Sequence, residues 1–597
     1  MEKQFSIRFS FLNEDVVPFT YTYQVSPKTL DEALQLMRFQ SPVEISITGE
    51  KNYSITLSDE LLCINLKDVN LYPISHVRFQ TKDAKFWYAN HHGKIYLSTN
   101  EGYDIIKITH KTYEELSINK SELIPGDCYN IVLYDVKSLD EITLYEYLTR
   151  GLQLSADGKI QLTPSEFSPL PGLIEPDVFH SLQYVPGAVN TQESIADINI
   201  RGGTHDQNLV LWNGARMYQT SHFFGMISAI NPSIAHRIDV YKNASSAFYT
   251  DGVSGVIDIT SQAEQNEHQN NRLGAAINLL DAQAFAEQKF NFGRLAFSSR
   301  ASYNDLWESP SFENYFDKVF QNTRIFESET QTEIPVETRT SFNYYDAAIH
   351  FNTTFKEKHH IAFNATGILN QLNFDELNLL NDQQKNNSLE QSSLLSSLSY
   401  TNTWNESHQS EIRATLSYYK LDAINQAINS EQILDQQNSV FDTGIDIRHR
   451  WIINYTTQLN LGYQFNEIGV RNDNIVNIPQ LEQRDKKVLM RHGLIATIDM
   501  KFFKEKLKTH LGIRGNYYDR FNLIKVEPSL KLSTEINPFW SMSILGEQKY
   551  QAMNQVIDVQ QDFLGVEKRR WVLSDHQENP LLQNFQGELQ SIYRKNN

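Results

Sequence analysis

From Arg272 to the C-terminus the chain alternates apolar and polar residues at a period of two, with charges on the polar side. Leu507, Thr509, Leu511, Ile513 and Tyr517 fall on one side, and Lys508, His510, Arg514 and Asn516 on the other. Leu494, Ala496, Ile498, Met500 and Phe502 oppose Thr497, Asp499 and Lys501. Leu459, Leu461, Tyr463 and Phe465 oppose Asn460 and Gln464. Ile412, Ala414, Leu416 and Tyr418 oppose Arg413, Thr415 and Ser417. Successive side chains on a strand point to opposite faces, so each strand has one apolar and one charged face. A dry sandwich core would expel such charges, whereas a polar lumen accepts them while lipid takes the apolar side. The pattern predicts a transmembrane antiparallel β-barrel. Turns at Asn405-Glu406-Ser407 and Lys356-Glu357-Lys358 alternate with long polar connections at 304–340 and 553–584, matching short turns on one side of a membrane and long loops on the other. Aromatic residues near strand ends (Tyr400, Tyr418, Tyr419, Tyr517, Tyr518, Trp540) are assigned to interfacial girdles.

Composition excludes several alternatives. With 597 residues, several domains are expected. No run reaches the ~18 uncharged apolar residues of a membrane helix, and mean hydropathy is −0.46, as strand-built membrane proteins allow. Asp+Glu 72 against Lys+Arg 53 gives a nucleic-acid role no electrostatic support. Cys63 and Cys128 are too few for a disulfide framework and wrongly spaced for zinc. The opening MEKQFSIRFSFLNEDVV lacks an apolar core and cleavage site of a signal peptide. There is no GxSxG, phosphate loop or HExxH, so no enzyme, metal or cofactor is expected.

The segment from Leu170 to about Gln262 carries five elements in order. EPDVFHSLQYVPGA opens a helix, with Asp177 near its start and Pro186-Gly187 as its stop. A strand ends in Arg201-Gly202-Gly203, where glycine permits a tight turn. Asn213-Gly214 forms a hairpin signal between LVLW and ARMY. NPSIAHRIDVYK follows, then the closing run Asp251-Gly252-Val253-Ser254-Gly255-Val256-Ile257-Asp258-Ile259. Over its whole length this segment resembles the plug domain of TonB-dependent outer-membrane receptors. The resemblance implies a plugged barrel that imports a scarce nutrient, a ferric siderophore or an oligosaccharide, using energy from the TonB–ExbB–ExbD complex. The sequence after Arg201-Gly202 differs from that of starch-utilisation-type importers, which lowers the oligosaccharide reading. Plugged transporters have about 22 strands, whereas roughly thirteen or fourteen are legible here. The final GELQSIYRKNN reads as mid-strand, and the chain is expected to be a fragment cut at both ends.

Residues 1–57 form a small α/β pattern, with Ser26 able to cap a helix bearing Leu30, Ala33, Leu34 and Met37 before the hairpin-like VEISITGEKNYSITL. They resemble the second half of the secretin/TonB short N-terminal domain, through which some receptors report ligand to an anti-sigma regulator; signal transduction is the alternative function. Residues 58–135 alternate at the strand period around a turn at Gly93 and resemble a carboxypeptidase-regulatory-like β-sandwich, as in Bacteroidetes-type receptors. Cys63 and Cys128 would lie on its first strand and just before its last, as a disulfide or as two free thiols. Residues 136–168 are read as a linker in which Asp140, Glu141, Ile142, Thr143 and Leu144 occupy the position of a TonB box, a segment that pairs with its partner by strand addition. The plug is placed at 169–262 and the barrel at 268–597, in outer-membrane lipid, with the N-terminal domains in the periplasm. Arg216, Met217, Tyr218 and His222, beyond the Asn213-Gly214 turn, are ligand candidates because they combine apolar, aromatic and charged groups. In the opposing reading Met217 and Tyr218 are plug core and His222 is structural.

Overall fold

The computed structural model describes the chain apart from residues 1, 13–28, 59–60, 68–72, 75–76, 81–85, 98–104, 111–112, 114–115, 121–122, 124–127, 134–145, 150, 155–158, 165–176, 191–195, 223–224, 232–233, 235–236, 262–270, 308, 315–335, 357, 379–382, 427–430, 504–505, 538, 558–568, 576–577 and 594–597. The TonB-box candidate 140–144 and Ser26 therefore lie outside the described residues.

In the N-terminal unit, the helix Leu30–Gln40 starts four residues after Ser26. Thr29 caps it, in a box with Glu32 that satisfies two end donors reciprocally. Ala33 and Met37 turn inward, and Met37 packs on Val43, Ile45 and Ile55 of a three-stranded sheet in the order Arg8–Ser10, Asn52–Leu57, Val43–Gly49. Two further sheets enclose one core containing Leu62, Ile64, Phe79, Ile95 and Ile108. Phe39 joins this core, its ring 4.2 Å from that of Trp87, and Gln40 Nε2 donates to Tyr88 O. The helix thus serves both halves of the unit. Cys63 and Cys128 sit opposite each other on parallel strands and form a disulfide, so the first of the two alternatives holds. It closes a loop of 65 residues, and Cys63→Ser/Cys128→Ser is expected to lower the stability of this unit by about 2–4 kcal/mol, read as a shift of its urea midpoint.

The second unit holds the plug and the large sheet. Fourteen antiparallel strands run in sequence order from Arg272–Ile277 to Leu582–Tyr593. The period-two expectation holds: Leu494, Leu511, Ile513 and Tyr517 are exposed, while Thr497, Asp499, Arg514 and Asn516 are buried on the opposite face. The same parity corrects the girdle. Tyr419 and Tyr518 are buried on the inner face, because neighbouring residues on a strand cannot share a side. Phe290, Phe292, Phe355, Trp404 and Trp451 supply exposed aromatics at the tight-turn end instead. The long polar connection at 553–584 carries paired strands, Met553–Ile557 with Arg569–Leu573, and the last strand begins at Leu582.

The plug is built on a seven-stranded sheet: Glu146–Thr149, Leu152–Leu154, Ile160–Leu162, Arg237–Tyr241, Gly255–Thr260, Asn208–Trp212 and Ala215–Arg216. Its first three strands come from the stretch read as a linker. Ile160–Leu162 pairs antiparallel with Ile238–Val240, and Leu152, Ile160 and Leu162 enter the plug core. That stretch looked core-less because its few apolar residues need the partner strand to be buried. The core also contains Phe179, Leu182, Ile198, Ile200, Trp212 and Ile257, and it continues into Ala348, Ile368 and Leu395 on the inner face of the large sheet.

Candidate functional site

The turns that shape the plug face are set by backbone conformation. Arg201 and Gly202 both have positive φ, and so do Asn213 and Gly214, the pair a type I′ hairpin turn requires; Leu211 and Trp212 then face Arg216 and Ala215. Gly252 is demanded by closeness: a Cβ there would lie 2.7 Å from both the backbone N and the Cβ of Leu209. Gly252→Ala is expected to destabilise the plug by about 1–3 kcal/mol, measured as a lower urea midpoint for plug release. Arg201 reaches Glu588 on the last strand at 2.6 Å.

At Asp251, plug and wall meet in a buried ionic cluster. Arg216 donates to Asp251, Arg491 Nη1 stands 3.5 Å from the same carboxylate, and Ala552 N donates to it at 2.6 Å. Burial pushes the Asp251 carboxyl up, but Arg216 and Arg491 outweigh it and hold the group below its ordinary value. Tyr218 donates to Asp442 at 2.8 Å. The guanidinium of Arg216 lies 5.2 Å from the Tyr218 ring and 5.8 Å from that of Trp571, within cation–π range. A cavity of about 150 Å³ separates this part of the plug from the wall, lined among others by Arg216, Tyr249, Asp442, Arg448 and Arg491.

The hairpin of the last long connection folds onto the same face. Trp571 is buried, edge-on to Tyr218 at 5.2 Å. Its Nε1 donates to Tyr218 O, and its backbone is bracketed by the carboxamide of Asn438. Gln555 N donates to Asp206 Oδ2, and Arg569 reaches both His205 and Asp197. A second cavity, of about 370 Å³, opens between the hairpin and residues 204–207.

The four ligand candidates are thereby dispersed rather than gathered. Arg216 and Tyr218 join the ionic cluster, Met217 packs in the plug core, and His222 is fully buried against the wall. There its Nδ1 meets Asn370 Oδ1 at 2.6 Å and its Nε2 meets Asp346 Oδ2 at 3.1 Å. Trp571, Arg491, Asp442 and Asn438 were not singled out from sequence. Trp571, Arg491 and Asp442 lie roughly 200 to 350 residues from their plug partners and Asn438 lies 133 from Trp571, so no local spacing marks them.

The family model for the TonB-dependent Receptor Plug Domain matches residues 176–256. A mutant of the ferric enterobactin receptor from Pseudomonas aeruginosa shares the fold, with TM-score 0.51 and 12% identity over 73% of this chain and 69% of that one. Residues 176–256 thus carry the plug domain of TonB-dependent receptors, and the chain around them shares the fold of such a receptor. The same Pseudomonas aeruginosa receptor in complex with BCV-L6 gives TM-score 0.50 at 12% identity, over 73% and 70% of the two chains. No curated protein matches. At this identity the structural likeness concerns the fold: a strand-built wall with an α/β plug against its inner face.

Proposed function

We propose that this receptor imports a scarce nutrient across the outer membrane, driven by the TonB–ExbB–ExbD complex acting on residues 140–144. The observation that carries this reading is the seating of the plug: its core merges with the inner face of the wall, and buried polar bonds rather than a covalent or wholly apolar seal hold it there. Such a seat can be released by force. Residues 140–144 are followed by Glu146–Thr149, the first strand of the plug sheet, so tension on the box reaches the plug directly. Ferric siderophores and oligosaccharides are the cargo classes to test. A periplasmic signalling role for residues 1–57, reporting to an anti-sigma regulator, is compatible with import; deleting them would abolish induction and spare uptake.

The test is growth of a deletion strain on defined iron and glycan sources. A defect on at least one limiting source is expected, repaired by a plasmid copy only when TonB is present. Repair without TonB would sink the reading.

A further inference from the structure

We infer that the 370 Å³ cavity between residues 204–207 and the paired strands Met553–Ile557 and Arg569–Leu573 takes a neutral, hydroxyl-rich ligand, a saccharide, as the cargo. The inference rests on the import reading and adds the substrate class. The volume falls in the range of small-ligand sites, and three carboxamides on its lining retain unused groups. Gln207 accepts from Thr204 N through Oε1, but its amide nitrogen has no protein partner among the described residues. Gln555 meets His205 through Oε1 at 2.6 Å, and its amide nitrogen is likewise free. The side chain of Asn579 makes no hydrogen bond among the described residues, although its backbone N is held by Asp575. A carboxamide offers both donors and an acceptor, the complement of a hydroxyl that both donates and accepts.

The charges argue in the same direction. The guanidinium of Arg569 is already matched by Asp197 at 3.0 Å. The Asp206 carboxylate, also on the lining, accepts from two neutral donors, Thr204 Oγ1 and Gln555 N. Two carboxylates against one guanidinium leave an excess of one negative charge, which disfavours an anionic ferric chelate. Ile557, Pro580 and Leu582 complete the lining and offer an apolar surface to the C–H face of a sugar ring.

The test uses the full chain in detergent on an array of neutral, acidic and amino oligosaccharides, with ferric enterobactin titrated in parallel. At least one neutral oligosaccharide should bind more tightly than any acidic glycan or ferric enterobactin. Gln207→Leu and Asn579→Leu should each weaken it about tenfold, the scale of one lost hydrogen bond, with an unchanged protease pattern showing the plug still seated. Tighter binding of ferric enterobactin or an amino or acidic glycan, absence of any neutral ligand, or equal affinity in both variants would overturn the saccharide assignment. TonB-dependent uptake of some other cargo would remove this inference and leave import standing.

Discussion

Replacing Ile142 with proline is expected to reduce energised uptake to the level of a strain without TonB while leaving cargo binding at the outer face unchanged. A segment that pairs by strand addition contributes main-chain donors and acceptors in a row, and proline removes one donor and blocks the ladder around it. The substitution lies outside the plug sheet, whose first strand begins at Glu146, so the seat itself should remain intact. Uptake and equilibrium binding measured on the same cells separate the two effects. Wild-type uptake would place the coupling segment elsewhere.

The second large effect is expected at Asp251. Its carboxylate serves Arg216, Arg491 and Ala552 N together, and side-chain exposure there is 2%. Asp251→Ala leaves two buried guanidinium groups competing for the remaining acids, and removing one partner of a buried ion pair costs about 3–5 kcal/mol. The plug should release at a much lower urea concentration, and cells should become permeable to large antibiotics. Adding Arg216→Leu should recover part of the loss, because the uncompensated charge goes with it. A single variant within about 1 kcal/mol of wild type would show that the cluster does not hold the plug.

Much of the fold was legible because it is written at short range. Strand parity in the wall follows from a period of two, so Arg514 inside and Ile513 outside could be read directly. The Asn213-Gly214 and Arg201-Gly202 turns announce themselves through residues that tolerate positive φ. The helix cap was misplaced by three residues because Ser26 and Thr29 both qualify by type, and only Thr29 has a glutamate three positions on. Residues 146–162 looked structureless since their strands gain a core only against Arg237–Tyr241, about eighty residues away. The site was much less legible. Arg216 and Tyr218 were noticed, but their partners Asp442, Arg491 and Trp571 are brought to them by wall strands and a connection far along the chain. The sequence after Arg201-Gly202 argues against a glycan, whereas the carboxamides that argue for one come partly from Gln555 and Asn579, in a long polar connection whose pairing no local spacing marks.

Many side chains of the wall and its last connection address the plug through its main chain. Arg300 Nη2 donates to Ser228 O, Gln464 Nε2 to Phe248 O, Gln551 Nε2 to Asp206 O and Asn584 Nδ2 to Val253 O, and Gln586 Nε2 to the carbonyls of both Val253 and Ser254. A carbonyl oxygen is the same whatever residue bears it. Over evolutionary time the plug side chains at such positions are free to drift without loosening their attachment, while the amides that grip them are not. At these positions the interface is lopsided: the plug residue is held by its carbonyl and the wall residue by its side chain, unlike Asp251 and His222, where the plug side chain itself makes the bond.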